Sequence, residues 1–326
     1  IYIWRHPKER TSIWWDPHNH KTRPYRYTLM MSEGSVPRMR VLIAVAAIVI
    51  TVSSPSWAQS VLYEGAIRYS QGKYTLDETV TSAFLLNEFT YFSRNWFAEA
   101  LLPVIYQDSN DVRYVGGMPM PVGEHHGEGG MPGGSKDHGG HGGGHPGGPG
   151  SPSENLNDLG IGDPYFRFGA LVYRGVFDRN SIGVFGTVKA PVADEAQGFG
   201  TGEWDYGLGL SWSRRTARNL VYVELAYWSL GEPPDVTFSN PIAGEFTYGR
   251  VLSNPRFLLE ATIWGRTETV PGIDGPIAID LTLGRSLNGP HSVYFSVEAG
   301  FTESAPDYAL VFGYRARVWD KKKATD

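Results

Sequence analysis

The sequence predicts an all-β fold, an antiparallel transmembrane β-barrel of about twelve strands. Three observations carry that prediction. From about Ser60 to Trp319 the chain is a series of segments in which apolar and polar residues alternate. In Glu203 to Ser213, for example, Trp204, Tyr206, Leu208, Leu210 and Trp212 share one face, while Glu203, Asp205, Gly207, Gly209, Ser211 and Ser213 share the other. A strand points successive side chains to opposite faces, so each segment has one greasy surface and one wet one. The wet surface carries charge on strand after strand, which suits a lumen better than the exterior of a sandwich. Finally, tight connections alternate with longer ones, as when short periplasmic turns alternate with longer outer loops.

The segments follow in order. In 61–70, Glu64 and Arg68 fall in the polar register; in 79–92, Asn87 and Glu88 are neighbours and leave the register open; in 95–107, the charge is Glu99. Segment 160–174 contributes Arg167, 180–191 contributes Lys189, 202–214 contributes Glu203 and Asp205, and 219–230 contributes Glu224. Segment 241–251 follows; then 255–267 adds Arg256, Glu260 and Arg266, 276–287 adds Asp280, 291–302 adds Glu298, and 307–319 adds Arg315 and Arg317. Ten residues at about 3.3 Å each, tilted by about 40°, rise about 25 Å, the height of an outer-membrane apolar band. An Arg or Lys at mid-depth on the lipid face costs about 2–4 kcal/mol, which sends these residues inward as the expected lumen lining. Seven cations against eight anions is nearly balanced and points to no strong anion or cation preference. Pro103, Pro164 and Pro191 fall near segment ends that face the long loops, where a missing N–H is tolerated.

Composition fits the same reading. The 326 residues hold 40 glycines, 18 tyrosines and 10 tryptophans, and Tyr and Trp are the residues that barrels place in interfacial girdles. There is no cysteine, so disulfides and thiolate metal sites are excluded. Met39 and Arg40, the apolar run Val41 to Val52, and Ser56-Trp57-Ala58 form a signal-like segment, 39–58, with its expected cut before Gln59. Residues 1–38, without periodicity, are read as upstream sequence that is not part of the mature protein. Removing both leaves a net charge near −10, which argues against nucleic acid as a partner.

Gly116 to Gly150 holds 16 glycines in 35 residues, five histidines (His125, His126, His138, His141 and His145) and every methionine downstream of the signal. Such a segment cannot bury enough apolar surface to fold and is expected to be a disordered extracellular loop. Imidazole with thioether suits copper, and imidazole alone suits nickel or zinc, so these histidines are the candidate metal ligands. No other cofactor is expected. Catalytic signatures are missing: there is no P-loop, Rossmann fingerprint or zincin motif, and the one strand histidine, His291, has no convincing nucleophile and orienting acid. No enzyme activity is expected.

Three runs then show a likeness. Gly160-Ile-Gly-Asp163-Pro, Phe185-Gly-Thr-Val-Lys189-Ala-Pro191 and Gly198-Phe-Gly-Thr-Gly202-Glu-Trp-Asp205-Tyr206-Gly, with Ser304-Ala-Pro-Asp307-Tyr308 to Arg315 near the end, resemble a bacterial outer-membrane "transporter" family labelled meta-pathway of phenol degradation. The resemblance spans about Tyr63 to Arg317. It implies a Gram-negative outer-membrane barrel that passes small, aromatic or amphipathic solutes. The Gly/His segment is not part of the family's pattern, and Trp319 is followed by seven further residues where such barrels usually end on an aromatic. The expected function is a passive channel whose partners are outer-membrane lipid, a small-molecule solute and the barrel assembly machinery. The competing expectation is a surface-display barrel with a closed lumen and a metal-binding loop.

Overall fold

The computed structural model describes residues 60–76, 79–107, 112–115, 118–121, 158–175, 179–195, 198–233 and 237–320. The upstream segment, the signal-like segment and all five loop histidines lie outside them.

The described residues form fifteen strands: β1 (Ser60–Gly72), β2 (Val80–Phe92), β3 (Trp96–Gln107), β4 (Val112–Val115), β5 (Met118–Pro121), β6 (Asp158–Ile161), β7 (Tyr165–Arg174), β8 (Asn180–Lys189), β9 (Asp205–Arg215), β10 (Asn219–Ser229), β11 (Ile242–Val251), β12 (Phe257–Arg266), β13 (Ile277–Ser286), β14 (His291–Gly300) and β15 (Tyr308–Asp320). Twelve of them close a ring. Each of β7 to β15 pairs antiparallel with its sequence neighbour, β1 pairs with both β2 and β15, and β2–β3–β7 completes the circle. Closure removes the edge from the ring, so none of its twelve strands is left with a row of unpaired N–H and C=O groups.

Two departures from the expected elements have local causes. The segment read as one strand over 160–174 is broken into β6 and β7. Opposite β3, Val104 pairs with Ile161 but Leu101 pairs with Tyr165, so three residues, Gly162-Asp163-Pro164, oppose two, Leu102-Pro103. This is a bulge at the place where two prolines withhold N–H groups. The Gly162 N–H bonds the Pro103 carbonyl at 3.0 Å and bridges the gap. In addition, at the start of the segment expected to be a loop, Met118–Pro121 pairs with Val112–Val115 as a separate hairpin.

The alternation sorts the two faces of the wall. Leu208, Leu210, Leu281 and Phe312 point outward and are more than half exposed, whereas Asp205, Glu260, Asp280 and Glu298 point inward and are at most 1% exposed. Here the exterior is greasy and the interior is charged. The open register of β2 resolves with Glu88 inward; Asn87 faces out, where it accepts a hydrogen bond from Tyr63 Oη at 3.0 Å. At one end of the ring the connections are short: 93–95, 175–179, 216–218, 252–256 and 287–290. At the other end they are 73–79, 190–204, 230–241, 267–276, 301–307 and the stretch after β3.

Adjacent positions on β9 test the sorting. Leu210→Arg should block folding into bilayers, since an outward arginine near mid-depth costs about 2–4 kcal/mol. Ser211→Arg, which enters the interior beside Glu224, should fold at close to the wild-type yield. Heat-modifiable mobility after refolding into vesicles reads both, and equal yields would contradict the assignment of faces.

Candidate functional site

The interior is tiled before it is charged. Aromatic rings lie flat over glycines on neighbouring strands. A Cβ on Gly209 would run into the Phe185 ring, one on Gly169 into Phe97, one on Gly313 into Tyr294, and one on Gly207 would sit 3.2 Å from Trp228. Arginines lie on these rings. The Arg167 guanidinium is 3.7 Å from the centroid of Phe185, and that of Arg315 is 4.6 Å from the centroid of Tyr294. Each arginine then meets a carboxylate. Arg167 donates to Glu224, across the interior from β7 to β10, and Arg315 holds Glu64 through two nitrogens. Tyr222 and Tyr294 donate to the same two glutamates. The order glycine, ring, guanidinium and carboxylate therefore recurs at two places on the wall. Rings supply a quadrupole face for the cation, and the carboxylate neutralises it away from bulk water.

These pairs belong to one belt. Glu99 lies within electrostatic reach of Glu88, Arg167, Glu224 and Glu64; Glu245 of Glu224 and Arg167; and Arg315 of Glu64 and Glu260. The belt draws on eight of the twelve ring strands and sets six glutamates against two arginines. It is acid-rich where the sequence pattern was nearly balanced. A second group is Arg68, which donates to both oxygens of Glu298 at 3.1 and 2.8 Å and also feels Asp280, itself the acceptor of Thr282 Oγ1 at 2.6 Å and of Ser296.

The third group forms at the long-loop end, where the three sequence runs meet. Lys189 Nζ is 3.2 Å from Asp163 Oδ2, 2.9 Å from Asp205 Oδ2 and 2.6 Å from Thr201 Oγ1. Lys189 and Asp205 are fully buried, and Asp163 and Thr201 nearly so. The other oxygen of Asp163 accepts the N–H groups of Val192 and Ala193, both at 2.9 Å, and that of Asp205 accepts the Gly231 N–H at 3.0 Å. The bulge in β6–β7 aims Asp163 here. Glycines at 200 and 202 follow from the packing. A Cβ at 200 would strike the Asp163 carboxylate, and Gly202 sits at φ 72°, where an L side chain is strained. Arg266, on β12, reaches the electrostatic field of Asp205 and of Tyr165.

Among the fifteen residues expected to line the lumen, the structure puts Glu64, Arg68, Glu99, Arg167, Lys189, Asp205, Glu224, Glu260, Arg266, Asp280, Glu298, Arg315 and Arg317 on inward positions of the ring strands. Glu203 and Arg256 lie outside the strands. Glu203 sits in the bend before β9, half-buried, because the strand starts two residues later than its alternation suggested; Arg256 lies exposed in the 252–256 turn. Residues not singled out by the pattern include Glu88, Glu245, Tyr222 and Tyr294. Glu245 was legible: Phe246 and Tyr248 fix the outward register of β11 and leave 245 inward. Among the described residues no group of acids and histidines could hold a metal ion. His291 is exposed at the short-turn end, with Nδ1 2.7 Å from Tyr314 Oη.

No known protein family matches the chain, and no curated protein matches it in sequence. Solved structures do resemble it. One is the crystal structure of the COG4313 outer membrane channel from Pseudomonas putida F1, 10% identical, covering 81% of this chain and 96% of that one with a TM-score of 0.55. The fold is that of an outer-membrane β-barrel. The KdgM porin (7% identical, 78% and 99% covered, TM-score 0.43) and the outer membrane phospholipase A from Escherichia coli (11%, 81% and 93%, TM-score 0.35) are looser likenesses that carry no argument. The phenol-degradation label finds no family match in support.

Lys189→Met removes the cation held between two buried aspartates, and an uncompensated buried charge costs about 3–5 kcal/mol. The urea midpoint of the refolded barrel should fall accordingly, and Lys189→Arg should recover part of it. An unchanged midpoint for Lys189→Met would show that the triad does not hold this end of the wall.

Proposed function

We propose that the protein is a passive outer-membrane channel for small solutes. The observation that supports this best is the sorting of its two faces: a greasy exterior that suits lipid, and an interior whose charged groups stay hydrated or paired. A closed ring of twelve strands is also wider than the eight-stranded barrels whose interiors side chains fill. The outer-membrane character of the fold it shares with a known channel agrees. Chains of carboxylates with guanidiniums laid on aromatic faces offer polar handholds beside apolar rings, which suits amphipathic or aromatic solutes. The alternative, a closed display barrel, shares the exterior and differs only in conduction.

Purified protein in planar bilayers should give discrete single-channel steps. With six glutamates and two arginines in the belt, the reversal potential in a salt gradient should shift toward cation preference as the pH is raised and the carboxyl groups ionise. Glu99→Gln with Glu245→Gln should weaken that preference while the channel stays open. Absence of steps from folded protein would favour the closed barrel.

A further inference from the structure

The connection between β8 and β9 does not behave as a surface loop. Phe199 and Thr201 are each only 1% exposed, and Ala193 is buried. Phe199 packs with Ala193 against Phe84 of β2 and Ile105 of β3, with Leu86 beside them. Phe84 and Ile105 lie on the inward positions of their strands, so the segment sits inside the ring. It also lies against Gly160 of β6, where a Cβ would strike the Phe199 ring. We propose that this inward-folded segment, Ala190–Glu195 with Gly198–Trp204, is the constriction that sets the size limit of the channel, and that Phe199, buried against the wall, is the side chain that pins it in place.

The path of the chain carries this. The segment leaves the wall at β8 and reaches β2, passing β7 and β3. Neighbouring strands are about 4.8 Å apart, so it covers about 14 Å, a quarter of a twelve-strand ring. A backbone that crosses a quarter of the opening on the inner side narrows it. It is held at two places. At its start, the N–H groups of Val192 and Ala193 bond the Asp163 carboxylate, and at its end Thr201 accepts from Lys189. Between them, the turn is tightened by Gly198 at φ 75° and by the N–H of Gly198 and Phe199 returning to the carbonyls of Glu195 and Asp194 at 3.0 and 3.2 Å. This anchoring makes the segment a fixed sill rather than a swinging flap. Leu230 and Phe238, with Trp228 and Val270 packed on them, form a separate apolar cluster.

The inference rests on the channel reading, and the test separates the two. Because the chain has no cysteine, Phe199→Cys is the sole thiol. Its single-channel conductance should rise above that of wild type, and the limit for neutral polymers that enter the channel should move to larger sizes. A sole thiol placed instead at Asp194, exposed on the same segment, should lower the conductance when a bulky methanethiosulfonate reagent is added from the long-loop side. Leu208→Cys, on the outward face, should conduct like wild type before and after the same treatment. Phe199→Ala gives a thiol-free version of the widening, and heat-modifiable mobility confirms that each variant is folded. Wild-type steps with unchanged conductance and polymer limit in both Phe199 variants would overturn the constriction and leave the channel standing. No steps in any folded protein would overturn both.

Discussion

Everything in this fold depends on closing the backbone ladder. β1 meets β15 over Ser60 to Gln71 and β2 over its whole length, so the first and last strands are partners and the ring has no edge. Once the ring is shut, the period-two alternation of every strand becomes an inside and an outside. One residue of slip anywhere would turn a row of glutamates outward and a row of leucines inward. The register is therefore fixed by both faces at once, by the aromatic tiles as well as by the aliphatic exterior.

The ladder is interrupted between β3 and β6–β7, and the sequence invests its most particular residues there. Pro103 and Pro164 flank a bulge between β3 and β6–β7, and Asp163 in that bulge turns into the ring to meet Lys189. Lys189 and Asp205 come from the ends of adjacent strands, where Lys189 pairs directly with Asp205. Thr201 arrives from the connection that joins those strands. Three runs separated in sequence thus share one ion and one fold position. Taking two aspartates and a lysine out of water is costly, and the cost is offset only because nearly every remaining oxygen accepts a backbone N–H.

Much of this was legible beforehand. Strand type, the twelve ring members and their approximate limits follow from alternation, because side chains of one strand face two solvents of opposite polarity. Inward charges were legible for the same reason. Glu203 was misplaced because alternation continued two residues past the point where β9 begins. Arg256 was misplaced because a turn residue can continue a strand's parity without belonging to it. The split of β6 from β7 was signalled by Gly162-Asp163-Pro164, yet its consequence, a carboxylate steered toward Lys189, depends on a partner 26 residues later. The inward fold of the β8–β9 connection had no local signal, since Phe199 finds its pocket on β2 and β3, about a hundred residues earlier in the chain. The acid-rich belt was hidden by counting charges strand by strand; Glu88 and Glu245 join it through their partners on adjacent strands, Glu64 and Glu224.

The central claim is that the exterior of this ring faces lipid and its interior faces water. Spin labels on single cysteines at Leu208, Leu210, Ser211, Trp212 and Ser213, in protein reconstituted in bilayers, test it directly. Labels at 208, 210 and 212 should be relaxed by dissolved oxygen and shielded from a water-soluble nickel chelate, and labels at 211 and 213 should show the reverse. Accessibility without a two-residue period, or water at 208 and 210, would contradict it.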